Sequence, residues 1–105
     1  MNVQSTLSTR QSSHGDFREN GRIMQHLKDA CRTGQNWRHL PVHQREAIDM
    51  ICHKVGRILS GDSNHADHWH DIAGYATLCE NIILTGEPYQ SNIPAKEEAN
   101  AQVKK

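Results

Sequence analysis

The run Asn64 to Leu78, NHADHWHDIAGYATL, gathers His65, His68 and His70 with Asp67 and Asp71 at the head of an apolar helical stretch. Such residues can ligate a metal, face a nucleotide, or simply open a helix in the favourable field of its dipole. The three histidines do not share one helical face as His-x3-His pairs do, and no cysteine lies among them, so the run by itself is a poor zinc site. Asp67 and Asp71 are four apart on one face and repel each other unless a cation sits between them. Lys54 and Arg57, in the last turns of the preceding helix, are the first candidates for that cation. A magnesium ion is the second, and it would need further carboxylates from Glu46 and Asp49, spaced three apart. Those two lie two or more turns from the hairpin mouth, so the metal alternative reduces to Glu46, Asp49 and Asp71. His70-Asp71 also matches the His-Asp dipeptide of metal-dependent phosphohydrolases, but the chain is short for that five-helix scaffold.

Three helices must position these groups. In PVHQREAIDMICHKVGRILSG, Ile48, Ile51, Cys52, Val55, Ile58 and Leu59 recur at three- and four-residue steps, with Pro41 placed to start the helix and Gly61 to stop it. Its polar side carries Arg45, Glu46, Asp49, His53, Lys54 and Arg57. A second helix is expected from about His65 to Leu84, capped by Asn64 and stopped by Gly86, with Trp69, Ile72, Ala73, Ala76, Cys79 and Ile83 facing inward. A weaker stripe of Phe17, Ile23, Met24, Leu27, Ala30 and Cys31 predicts a helix from about Gly15 to Arg32, ended by TGQNW. The short GDSN loop makes the last two helices antiparallel neighbours. Gly56 and Gly74 in helix interiors call for close packing or a ligand against the backbone. Trp37 is expected as a lid on the first helix, with an exposed stacking role as the alternative.

The expected architecture is all-α: residues 14–86 form a small bundle of three main helices around a central antiparallel hairpin, completed by homo-oligomerisation. Residues 1–13 read as a disordered tail. Residues 87–105 read as a flexible tail, with a short polar helix after Pro94 as an alternative. With 35% hydrophobic and 5% aromatic residues in 105, the core is small and a partner subunit is expected to help. Twelve basic residues balance twelve acidic ones, which argues against DNA or an anionic membrane as the partner. No apolar run reaches a membrane span and no leader pattern is legible, so the expected location is cytoplasmic. Cys31, Cys52 and Cys79 each fall in an apolar stripe and are expected as buried reduced thiols.

The motifs HGDFREN, QREAIDMICHKVGRILSG and DHWHDIAGYATL, in that order over His14 to Leu84, resemble a family of small helical proteins encoded by bacteriophages and prophages. The resemblance implies a phage origin, expression in the host cytoplasm and an all-helical fold, and carries no activity with it. His53 and His70 depart from the residues usual in that pattern. The chain is also faintly similar to the MazG-type all-helical nucleotide pyrophosphohydrolases, which hold magnesium between Glu-x-x-Glu and Glu-x-x-Asp pairs. Glu46-x-x-Asp49 matches one pair; Asp16-x-x-Glu19 and Asp67-x-x-x-Asp71 do not supply the other.

Together these residues predict a non-enzymatic binding protein that needs no cofactor. A phosphorylated nucleotide-type ligand would meet Lys54, Arg57, Asp71 and Tyr75, with Asp67 and His53 beside them. His14 to Asp16 would close one side with backbone N–H groups. By analogy with phage proteins of this size, the ligand is a cyclic nucleotide or ADP-ribose type immune signal, held so that host defence is inhibited. The alternatives are magnesium-dependent pyrophosphate hydrolysis, or an adaptor docking on a host protein.

Overall fold

The computed structural model describes residues 2–86. The C-terminal segment, expected as a tail, lies outside the described residues. The helices are α1 (Val3–His14), α2 (Phe17–Arg32), α3 (Val42–Ser60) and α4 (Ala66–Thr85), with a 3₁₀ turn Trp37–His39 before α3. The described residues contain no strand, and the fold is all-α as the periodicities predict.

α3 is the centre. At about 100° per residue, its Asp49, Cys52, His53 and Gly56 fall on one side and its Ala47, Ile51 and Lys54 about 180° away. The first set meets α2: Asp49 accepts from Arg32 at 3.1 and 3.0 Å, the sulfurs of Cys52 and Cys31 are 3.8 Å apart, and His53 lies 2.8 Å from Lys28. Gly56 admits the Met24 side chain; a Cβ there would come within 2.7 Å of Met24 Cγ, so close packing explains this glycine. The second set meets α4, where Lys54 Nζ and Asp71 Oδ2 are 2.8 Å apart. α2 and α4 thus flank α3 antiparallel and share no comparable contact with each other. The result is one layer of helices with two faces.

α1 replaces the expected N-terminal tail. Asn2 caps it by accepting from the Ser5 N–H at 2.8 Å, and Thr6, Thr9, Ser12 and Ser13 hydroxyls donate to carbonyls one turn back. It has no buried residue, so no apolar stripe announces it. It is held by its C-terminal end: Ser13 O accepts from the Asp62 N–H at 3.1 Å and from His68 Nε2 at 2.9 Å. Gly15, at φ +86°, and Gly61 let two backbone turns touch, since a Cβ on either would run into the other turn's carbonyl or amide.

α4 differs from its predicted register. His65 occupies the cap position without a side-chain bond, while the Asn64 N–H donates to Asp62 Oδ1 at 2.9 Å. The inward line is His68, Ile72, Tyr75, Cys79 and Ile82, and Trp69, Ala73, Ala76 and Ile83 face outward. Two apolar stripes overlap on this helix, and the bond from His68 to Ser13 O selects one of them. On α2, Phe17 and Ala30 of the predicted stripe are exposed while Met24 is buried. A Cβ added at Gly74 would find nothing within 4 Å among the described residues, so packing against them does not account for this glycine. Trp37 carries the Arg32 guanidinium 4.6 Å over its ring, at the end of α2.

Candidate functional site

The junction between α1 and α2 meets the junction between α3 and α4 in a polar knot. His68 is only 1% exposed, and its ring lies 5.1 Å from that of His14 and 4.7 Å from that of His65. Because Ser13 O can only accept, His68 Nε2 carries the proton in that bond. Ser60 Oγ reaches Asn20 Oδ1 and the Gly56 carbonyl, and Asn20 Nδ2 donates to Gly15 O at 3.4 Å. These bonds fix where His14 and the start of α2 stand.

Beside the knot, on the polar face of the layer, a cavity of about 390 Å³ opens between α1, α2 and α3. Arg10 and His14 come from α1, Phe17 from the start of α2, and His53 and Arg57 from α3; among the described residues no acidic side chain lines it. Arg57 and Arg10 make no ion pair among the described residues. Phe17 is 86% exposed, a large apolar ring standing free at the mouth. Burial, and then the charges of Arg57 and Lys54 together with His68 and His65, hold His14 below the usual histidine value. His53 is lowered for the same reason, by burial, Lys28, Arg57 and Lys54, with Asp49 opposing. Lys28 Nζ donates to a neutral His53 Nε2 at 2.8 Å. The cavity is therefore a place where positive charge accumulates and histidines are held neutral, which suits an anion.

Of the sequence-predicted ligand residues, His14, His53 and Arg57 converge on this cavity. Lys54 is taken up by Asp71, whose carboxyl the ammonium holds below the usual carboxylate range. Tyr75 lines a groove on the opposite face of the layer. Asp67 is exposed, 3.9 Å from His65 Nε2, and Asp16 caps α2 by accepting from the Glu19 N–H at 3.2 Å. The Gly15 N–H, expected to face a ligand, donates to Gln11 O at 2.9 Å. For the magnesium alternative, Glu46 is exposed, Asp49 is bonded to Arg32 and Asp71 to Lys54. Among the described residues no three His, Cys, Asp or Glu side chains are gathered to hold a metal ion. Sequence reasoning misses Arg10, which sits in an apparent tail, and Phe17, which falls in an apparent core stripe; the Gly in His14-Gly15-Asp16 is the one signal of a turn there.

The α1-to-α4 span is what the comparison with protein families recovers. The profile of a domain of unknown function, DUF6378, matches residues 2–83. The chain belongs to that family. The DUF6378 match takes in α1, whose sequence reads as a tail, together with the cavity and the polar knot. No curated protein and no solved structure matches the chain. No helix among the described residues is long and apolar enough to cross a membrane.

Proposed function

We propose that this DUF6378 protein is a non-enzymatic binding protein whose cavity between α1, α2 and α3 takes a phosphorylated nucleotide-type ligand. The supporting observation is the cavity's lining: Arg57 and Arg10 without carboxylate partners among the described residues, two histidines kept neutral by burial and surrounding charge, and no acidic residue. A phosphate offers bidentate acceptors to guanidinium groups. Phe17, free at the mouth, offers a face on which a base can stack. A volume of about 390 Å³ lies within the range of about 300–1,000 Å³ common for small-ligand sites. In the phage setting implied by the sequence resemblance, the ligand is a cyclic nucleotide or ADP-ribose type immune signal of the host, and its removal blunts anti-phage defence.

The test mixes the purified protein with ADP-ribose, a cyclic dinucleotide and a nucleoside triphosphate plus magnesium. The filtrate and the heat-released fraction are then analysed by mass spectrometry. Depletion of one compound, its intact return on heating, and a loss of about 10- to 100-fold in affinity in Arg57→Gln are expected. Conversion of the triphosphate to monophosphate and pyrophosphate would replace the proposal with the hydrolase. An untouched panel would discard it in favour of a protein partner.

A further inference from the structure

We propose that a second copy of the chain packs on the apolar face of the helical layer, opposite the cavity. On α3, Ile48, Val55 and Leu59 fall about midway between the side that meets α2 and the side that meets α4, so they point out of the layer. On α4, Trp69, Ala76 and Ile83 are spaced by seven and lie on one line. Ile48 and Ile51 share a groove of about 440 Å³ with Ala76, Ile83 and Leu84, which places both lines on the same face. Leu59, Trp69, Ile83 and Leu84 are between 54% and 75% exposed there. The other face carries Lys28, His53, Lys54, Arg57 and Asp71.

The occupant follows from what the described residues lack. A helical domain buries its apolar stripes between two layers; among the described residues no helix covers this face of α3 and α4, and only Met24, Ala47 and Cys52 are buried as apolar side chains. The missing cover belongs to the chain's own core, so it must be present wherever the chain folds. A second copy meets that condition. α3 and α4, about 9–10 Å apart and about 28 Å long, offer roughly 500 Å² per copy, or about 1,000 Å² between two copies, the area a specific interface has to reach.

Charge fits self-association as well. α4 contains no Lys or Arg, and among the described residues Glu80 is the only charged one lining the groove. A two-fold axis along the groove, parallel to the helices, lays α3 of one copy over α4 of the other. The cavity stays open on the far face, so this pairing stands whether or not the ligand proposal holds.

Light scattering on the full chain is expected to give at least two 11.9 kDa chains at micromolar concentration. Ile83→Glu and Leu59→Glu alter side chains already exposed in a single chain and are expected to weaken association at least about 100-fold, whereas Phe17→Glu on the other face leaves it unchanged. The wild-type unfolding midpoint is expected to rise with protein concentration, which holds even where a variant fails to fold. A monomeric wild type with a concentration-independent midpoint overturns the proposal. If that monomer binds no anilinonaphthalene sulfonate, residues 87–105 cover the face instead; if it binds the dye, the face awaits a different protein. Retention of the wild-type mass in both Glu variants also overturns it.

Discussion

Replacing His68 tests whether one buried imidazole holds the cavity wall in place. The ring is 1% exposed, packs against His14 and His65, and donates to Ser13 O at 2.9 Å. In His68→Leu the volume is nearly kept and the donor is lost. Ser13 O still accepts from the Asp62 N–H, so it is not orphaned, and the expected loss is about 1 kcal/mol. In His68→Ala the same bond goes and a ring-sized void opens, for a total of about 2–4 kcal/mol. Against a total of about 5–10 kcal/mol for a domain this small, the Ala variant loses a large share of its stability. Urea unfolding followed by circular dichroism, at fixed protein concentration, measures both. Because Ser13 precedes His14, both variants should also shift the His14 ring resonances in NMR spectra. Equal losses for Leu and Ala would show that packing around the ring contributes nothing. Losses under about 0.5 kcal/mol in both would refute the idea that His68 selects the register of α4.

Gly15→Ala should destabilise by at least about 2 kcal/mol, since φ +86° strains a residue with Cβ and the methyl would strike the Ser60 carbonyl; Gly74→Ala, facing open space, should gain up to about 1 kcal/mol, and an opposite order of urea midpoints would contradict both assignments. His14 and His53 are held below the ordinary histidine value of about 6.5, so between their folded values and about 6.5 the unfolded chain binds more protons. Their contribution is fully present above about pH 6.5 and is lost as pH falls through the folded values, so the urea midpoint should be lower at about pH 5.5 than at about pH 7.5. A flat or rising midpoint toward acid would count against the positive environment drawn for the cavity, and added inorganic phosphate should lessen the drop. The Cys52 thiol is pushed up to about 11 by burial and by Cys31 beside it, so in native protein near pH 8 it should react with a thiol reagent about 100-fold more slowly than an ordinary thiol; prompt labelling of Cys52 located by peptide mass would refute this.

The three long helices were legible because each carries an amphipathic period, and their ends were legible where Pro41, Gly61 and Gly86 punctuate the chain. The pairing of Lys54 with Asp71 was legible too, because a short loop after α3 leaves the hairpin little freedom of register. α1 was not legible. It is docked by carbonyls and by two glycines in contact, and backbone contacts leave no pattern in side-chain hydropathy.

The candidate site divides in the same way. The sequence marked Lys54, Arg57, Asp71 and Tyr75 as ligand residues, with Asp67, His53 and the backbone of His14 to Asp16 beside them; of these side chains the cavity brings together His14, His53 and Arg57. Sequence periodicity also determined that each main helix would be apolar on one side. Only the tertiary arrangement decided that α2 and α4 would sit on opposite sides of α3, which leaves one face charged and the other apolar. It likewise decided that α1 would bring Arg10 onto the charged face, and that Lys54 would be neutralised by Asp71 while Arg57 stayed free of any ion pair among the described residues. The physical reason is that a helix's own period fixes which residues share a side. Which side meets a neighbour depends on bonds between chain segments far apart in sequence, such as His68 to Ser13.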